Sequence, residues 1–166
     1  MRYYTRRDVH VDRCASAWLL KRFVDPTAEF RFVAEGETVP GAIPFDMPGA
    51  ALGHRRGRCT FEAILARHRL RDPALVALGR IIRSADLLPS ADETLEGAGL
   101  DLVFRGLGVT IADDRERLAA AEPILDGVYV ALQARLGVRA AAPAPRPVAS
   151  RAGGGKRTGH GRKGSA

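Results

Sequence analysis

The first half of the chain alternates between strand-like and helix-like patterns. Residues 3–9 are rich in β-branched and aromatic side chains, which favours a strand, and residues 14–24 carry apolar side chains at helical spacing. Pro26 ends that helix, because proline disfavours helical geometry in the residue before it. Residues 30–32 alternate as a second strand does, and the apolar run at 42–45 predicts a third strand whose proline assigns it to an edge or an end. The chain is therefore predicted to begin as a β-α-β unit.

The second half is dominated by helical patterns. Thr60 is predicted to be the N-cap of one helix, and Asp72, followed by proline, caps a second. A third helix follows residues 90–93, and a fourth extends from Asp113 to about residue 136. The sequence thus predicts an α/β fold in which a small sheet of about three strands in the N-terminal half packs against four to five helices, with a helix-rich C-terminal half.

The positive charge is concentrated at one end of the chain. The formal net charge is +7, with 26 basic and 19 acidic residues, but seven basic and no acidic residues lie within residues 138–166. Residues 1–137 are therefore formally neutral, which removes the main electrostatic argument for a folded nucleic-acid-binding domain. We predict one domain over residues 1–137 and a disordered basic tail over residues 138–166. The basic tail has two possible roles. It makes weak, nonspecific contact with nucleic acid, or it only keeps the protein in solution.

The composition predicts a cytoplasmic protein. No run of eighteen apolar residues occurs, so the sequence predicts no membrane partner, and the N-terminus lacks the apolar core of a signal peptide. Two cysteines in such a chain indicate reduced thiols and no disulfide framework. The 46% hydrophobic content is sufficient for one compact core.

A first group of candidate ligands follows the first strand. His10, Asp12 and Cys14 occupy alternate positions, and an extended segment would point all three to one face. Imidazole and carboxylate together suit divalent zinc, manganese or iron, and a thiolate would favour zinc. The alternative is that Asp12 caps the helix that follows it while His10 packs nearby.

A second group lies beyond the third strand. His54 precedes Arg55, Arg56 and Arg58 in a glycine-bounded loop, and arginines in front of a helix N-terminus favour an oxyanion such as phosphate, sulfate or chromate. Solvated loop arginines are the alternative interpretation. Asp86 falls near the end of an apolar helix, where a carboxylate opposes the helix dipole and calls for a compensating cation.

Several short motifs resemble one family in the same order along the chain. They are His10-Val11-Asp12-Arg13, Ile43-Pro44-Phe45-Asp46-Met47-Pro48-Gly49, His54 followed by Cys59-Thr60-Phe61-Glu62, and Ile82-Arg83-Ser84-Ala85-Asp86. Over about residues 3–137 the chain is similar to the ChrB C-terminal domain family of bacterial chromate-resistance proteins. The resemblance implies a part in chromate or oxyanion stress, and longer members of the family are described as chromate-responsive regulators.

The ligand-type residues gather in these motifs. We therefore predict a divalent metal site (zinc, manganese or iron) that uses three or four of His10, Asp12, Asp46, His54, Glu62 and Asp86. A small oxyanion such as chromate would meet Arg13, Arg55, Arg56 or Arg58.

Two further functions stay open at this point. One is a metal-dependent hydrolase or redox enzyme at the same site: a His-x-Asp before a helix is similar to DHH-type phosphoesterases, although position 53 is Gly where that motif has a second histidine. The other is a nucleic-acid-associated regulator that acts through the basic tail. The sequence leaves catalytic residues and oligomeric state undetermined.

Overall fold

The sheet consists of three short parallel strands. A computed structural model describes residues 1–55, 57–87 and 94–138. The strands are β1 (Arg2–Arg6), β2 (Glu29–Val33) and β3 (Ile43–Pro44), in the order β2-β1-β3. Because β1 pairs in parallel with both neighbours, all three strands end at the same edge of the sheet. The proline-containing strand is at an edge, as predicted.

The β-α-β start is confirmed, with shifted boundaries. Strand β1 ends at Arg6 and not at residue 9, and Asp8 then turns the chain with a φ of 58°. Helix α1 (Val11–Leu19) begins three residues earlier than predicted, and a π-helical turn (Leu20–Val24) completes it before proline. The early start matters for the site, because it rotates every side chain after His10 out of strand geometry.

Four further helices follow in the described part of the chain. They are α2 (Thr60–Arg67), α3 (Pro73–Asp86), α4 (Leu95–Thr110) and α5 (Asp114–Arg135). The predicted caps Asp72 and Asp113 are confirmed, since each carboxylate accepts two backbone N–H bonds of its helix. The predicted cap of α2 is wrong: Cys59 occupies that position and Thr60 is the first helical residue. The α/β class with a helix-rich C-terminal half is confirmed.

Helix α1 is central to the packing. It contacts α2, α3 and α5, and its Trp18 is almost fully buried between aromatic rings. The indole stacks on Phe61 of α2 with ring centroids 6.4 Å apart and meets Tyr129 of α5 edge-on at 5.8 Å. Its N–H donates to Asp126 at 2.9 Å. This packing fixes α1, and with it the residues at its N-terminus.

The tail and one helix boundary lie outside the described residues. Residues 139–166, which make up nearly all of the predicted basic tail, are among them, and so are residues 90–93, the predicted start of the third helix. Helix α4 begins at Leu95, capped by the Thr94 hydroxyl. In the described part of the chain no helix is long and apolar enough to cross a membrane.

The approach of α4 to α3 gives a first testable prediction. A Cβ on Gly97 would lie 2.4 Å from the Ser84 Oγ, whereas a Cβ on Gly99 of the same helix would meet nothing within 4 Å. Gly97→Ala should therefore cost about 1–3 kcal/mol of stability through overpacking, and Gly99→Ala should add about 0.5–1 kcal/mol through helix propensity. Urea unfolding of the two variants measures both values. If the two substitutions change the free energy of unfolding by the same amount, the close contact between Gly97 and Ser84 is contradicted.

Candidate metal and oxyanion site

Four polar side chains meet at the carboxyl edge of the sheet. Asp12 lies in the first turn of α1, Asp46 follows β3 by two residues, His54 is in the loop before α2, and Asp86 is the last residue of α3. The last three line a cavity of about 540 Å³ that opens to solvent. In sheets of parallel strands this edge is where ligands bind, because strand ends and helix N-termini open there into a common crevice.

The imidazole of His54 is at the centre of this group. Its Nε2 lies 3.0 Å from Asp12 Oδ2, 3.1 Å from Asp46 Oδ1 and 3.4 Å from Asp86 Oδ2. Its side chain is 40% exposed, whereas that of Asp12 is 1% exposed. One nitrogen atom is thus surrounded by three carboxylates on the wall of an open cavity.

Asp12 links two helices through its buried carboxylate. Oδ2 accepts the backbone N–H of Thr60 at 2.7 Å, and Oδ1 accepts that of Phe61 at 2.9 Å. Ser16 also donates its hydroxyl to Oδ1, at 3.3 Å. Asp12 therefore does cap a helix, but that helix is α2 and not the one on which it lies. Its orientation towards His54 is fixed by these bonds to the chain.

Asp46 is held in an unusual backbone conformation. Its φ is 49°, in the left-handed region that residues other than glycine rarely adopt. Its Oδ1 accepts the hydroxyl of Thr60 at 2.8 Å and its Oδ2 accepts the Nε of Arg13 at 2.7 Å. Such strain is found mainly where a side chain must be aimed at a functional site.

The three carboxylates and the histidine shift one another's protonation. Hydrogen bonds to Asp12 and then to Asp46 raise the pKa of His54 to about 10. Burial alone would raise the pKa of Asp46, but bonds from His54 and Thr60, with the charge of Arg13, lower it to about 2. Burial and the charge of Asp12 raise the pKa of Asp86 to about 7. Without a metal, the imidazolium of His54 supplies the positive charge at the centre.

The geometry also fits a divalent cation. One ligand atom from each of Asp12, Asp46 and His54 lies within 4.8 Å of the others. Ligands at about 2.1 Å from a metal are about 3.0 Å apart at a right angle and about 3.4 Å apart at the tetrahedral angle. The distances from Nε2 to the three carboxylates span this same interval. Two or three carboxylates and one imidazole are a donor set for manganese, iron or zinc.

The thiols do not contribute to this group. Cys14 is 1% exposed, and burial raises its pKa to about 12. His10, Asp12 and Cys14 would share one face only in an extended segment, and that condition is not met because α1 begins at Val11. Cys59 is also fully buried, and burial likewise raises the pKa of its thiol.

Two of the predicted ligands take part in other contacts. The Nε2 of His10 lies 3.5 Å from Asp101 Oδ1, and its ring meets Phe104 edge-on at 6.5 Å. Glu62 accepts the backbone N–H of Cys59 at 3.3 Å and lies 3.6 Å from Arg83. Glu62 thereby closes a capping box at the start of α2. The structure brings together Asp12, Asp46, His54 and Asp86 from the predicted pool.

The predicted oxyanion residues separate in a similar way. Arg13 lines the cavity beside His54, but it already donates to Asp46 and to the carbonyl oxygens of Arg7 and Asp8. Arg55 lines the cavity beside His54, Arg58 lies on another face between α2 and α3, and Arg56 is outside the described residues.

Sequence reasoning missed Arg6. This residue lines the same cavity as His54, and its Nε is buried without a hydrogen-bond partner among the described residues. No signal for it was present in the sequence, because the predicted strand continued to residue 9. In the structure β1 ends at Arg6, and residues at the carboxyl ends of parallel strands line the ligand crevice.

Comparisons with known proteins agree with the motifs. The family model "ChrB, C-terminal domain" matches residues 3–132. Protein ChrB of Cupriavidus metallidurans is 34% identical over 127 residues, which cover 75% of this chain and 39% of that protein. The chain therefore spans less than half the length of this relative. No solved structure matches the chain.

Proposed function

Because the chain belongs to the family of the ChrB C-terminal domain, we propose that it serves chromate resistance by binding a divalent metal ion and an oxyanion side by side. The observation that carries this proposal is the position of His54 Nε2, within 3.4 Å of three carboxylates on the wall of an open cavity. An acidic cluster of this kind, with one imidazole, favours a cation at its centre.

The metal would be held by Asp12, Asp46 and His54, with Asp86 beside them. Hydrogen bonds from Thr60 and Phe61 fix the Asp12 carboxylate, and Thr60 and Arg13 fix that of Asp46. Such outer partners orient ligands and keep them charged. A bound zinc, manganese or iron ion would supply Lewis acidity at this place.

The oxyanion would lie in the cavity next to the metal. Arg6 and Arg55 line it, and the Nε of Arg6 has no partner among the described residues. With His54 neutral, the formal charge of three carboxylates is balanced by a divalent ion and Arg13. Arg6 and Arg55 then add two positive charges, which match a dianion such as chromate. Guanidinium groups suit tetrahedral oxyanions because they donate in pairs.

Metal analysis of protein purified without a polyhistidine tag tests the metal. We expect about one divalent ion per chain, removed by chelator with a fall in melting temperature. Asp46→Asn should lower the metal content, while Asp113→Asn, which alters an exposed helix cap, should not. Protein without any divalent ion, and with a melting temperature that chelator leaves unchanged, would refute the proposal.

Chromate binding tests the oxyanion part. Arg55→Gln in metal-loaded protein should weaken chromate binding about tenfold, since a charge-assisted hydrogen bond contributes about 1.5–3 kcal/mol. Arg31→Gln removes an exposed arginine outside this cavity and should leave chromate affinity unchanged. Equilibrium dialysis gives both values. Equal affinity in the two variants would remove Arg55 from the site.

A catalytic role for the same site is the second candidate. The observation in its favour is Asp86, which lines the cavity and whose pKa burial and the nearby Asp12 raise to about 7. In the metal-free protein, a carboxyl with this pKa can accept or donate a proton near neutral pH, which suits a general base in hydrolysis. Phosphoesterase turnover that is lost in Asp86→Asn would favour a hydrolase. Binding without turnover would favour the domain as a receptor.

A further inference from the structure

A second concentration of positive charge lies on the face shared by α2 and α3. Five arginines line a concave surface of about 520 Å³ there: Arg58, Arg69, Arg71, Arg80 and Arg83. Among the described residues, this arginine face shares no lining residue with the cavity beside His54. Among the described residues that line this face, Glu62 is the only acidic residue. Within residues 1–137, which are formally neutral, charge is therefore strongly segregated.

Most of these arginines are not neutralised. Arg58, Arg69, Arg71 and Arg80 are exposed, and no carboxylate pairs with any of them within the described ranges. Arg83 lies 3.6 Å from Glu62, which is itself bonded to the backbone of Cys59. Like charges held together repel one another and lower stability. A partner of opposite charge would remove that repulsion.

One of the four exposed arginines, Arg69, occupies a backbone position where glycine is preferred. Arg69 has a φ of 54° and follows His68, the C-cap residue of α2. The residue after a C-cap is usually glycine or asparagine, because a side chain is strained at positive φ. At this position the chain keeps a guanidinium, which lies on the arginine face.

The shape and lining of the face indicate the kind of anion. Arg80 and Arg83 lie on α3, and the other three arginines lie in the loops on either side of α2. All but Arg83 are exposed, unlike the convergent buried donors of a small-anion site. Its apolar lining is aliphatic, with Leu65, Leu70 and Val76, and none of the described residues that line it is aromatic and could stack on unpaired bases. Exposed guanidinium groups on an open surface suit the regularly spaced phosphates of a duplex.

We propose that the arginine face binds the phosphate backbone of double-stranded nucleic acid without sequence specificity. The interaction belongs to the folded domain and does not depend on the basic residues of 139–166. It is also independent of the metal, because the two surfaces have separate lining residues in the part of the chain that the structure describes. Its strength should fall steeply with salt, since each neutralised phosphate releases a counterion.

The test uses the full chain and a labelled random-sequence DNA duplex, with fluorescence anisotropy at several salt concentrations. Arg69→Gln with Arg80→Gln should weaken binding about tenfold and reduce the slope of log affinity against log salt by about 2. The matched control is Arg31→Gln with Arg115→Gln, which removes the same charge from exposed positions on another face. The control should retain affinity within about twofold, so equal losses in the two pairs would overturn the proposal.

Two further measurements separate the remaining explanations. Arg69→Gly relieves the positive φ, so it should raise the melting temperature while weakening duplex binding; unchanged binding would count against the proposal. Replacing Lys156, Arg157, Arg162 and Lys163 by glutamine should leave the salt-dependent contribution of Arg69 and Arg80 intact. If the tail variant no longer binds the duplex, or if polyglutamate of equal charge binds as tightly as the duplex, the proposal that the arginine face binds duplex nucleic acid is refuted.

Discussion

Replacing Asp12 with alanine is expected to lower the free energy of unfolding by about 3–5 kcal/mol. The carboxylate is 1% exposed and accepts the N–H groups of Thr60 and Phe61. Without it, two donors at the start of α2 are buried without partners, and each costs about 1–3 kcal/mol. His54 also loses the hydrogen bond with Asp12, which is the main cause of its raised pKa, so this pKa should fall towards the usual range. Such a loss is a large share of the ~5–15 kcal/mol that stabilises a domain.

A matched cap shows whether the effect comes from burial. Asp113 caps α5 with the same chemistry, accepting the N–H groups of Arg115 and Glu116, but it is exposed. Water can replace its carboxylate, so Asp113→Ala should cost only about 1 kcal/mol. Urea unfolding followed by the fluorescence of Trp18, the one tryptophan of the chain, measures both. Similar losses in the two variants would show that Asp12 is an ordinary cap and not a buried link between helices.

The strands and most helices were predictable because their signals are local. Proline after Asp72 and the carboxylate of Asp113 mark helix starts within a few residues, and proline in β3 assigned that strand to an edge. The start of α1 was not predictable in this way. The sequence pattern before α1 predicts a strand up to residue 9, but Asp8 turns the chain with a positive φ. That turn depends on distant groups, since the backbone N–H of Asp8 donates to Asp114 at 3.1 Å.

The candidate site was predictable in part for the same physical reason. Asp46 and Asp86 lie at a strand end and a helix end, where side chains converge in parallel α/β folds, and His54 was found because it falls in one of the motifs that resemble the family. The role of Asp12 as a cap for α2 depends on a bond between residues 48 apart in sequence. The separation of His10 from the group depends on Asp101 of α4, 91 positions away. Pairings over such distances leave no local pattern, so periodicity and spacing do not reveal them.

Metal binding to the protein is expected to release about one proton per ion near pH 8, and the proton comes from His54. Bonds to Asp12 and Asp46 raise the pKa of this imidazole to about 10, so it is charged at neutral pH in the metal-free protein. A ring nitrogen binds metal only when neutral, and the proton must leave first. Apparent affinity should therefore rise about tenfold per pH unit between pH 7 and 9. Below pH 7 the rise should steepen, because Asp86, with its pKa of about 7, is then also protonated.

The sign of this effect follows from the raised pKa of His54. In the metal-free protein its charge stabilises the fold fully below about pH 6.5, and that contribution is lost as pH rises through about 10. Metal and proton thus compete for one nitrogen, and raising the pH favours the metal. Calorimetry with Mn²⁺ in buffers of different ionisation enthalpy counts the released proton. His54→Ala should abolish the release and weaken binding about a hundredfold or more, because a direct ligand contributes more than the ~10–100-fold of an outer partner.

His68→Ala is the matched control for that measurement. This histidine is exposed in the C-cap position of α2, and its pKa is lowered by burial and by Arg67, so it carries no comparable charge to displace. Proton release and affinity should both stay at the wild-type value in this variant. If affinity for Mn²⁺ is independent of pH in the wild type, or if His54→Ala binds as the wild type does, His54 is not a ligand. The carboxylates around it would then serve only to hold an imidazolium, and the metal would have to bind elsewhere.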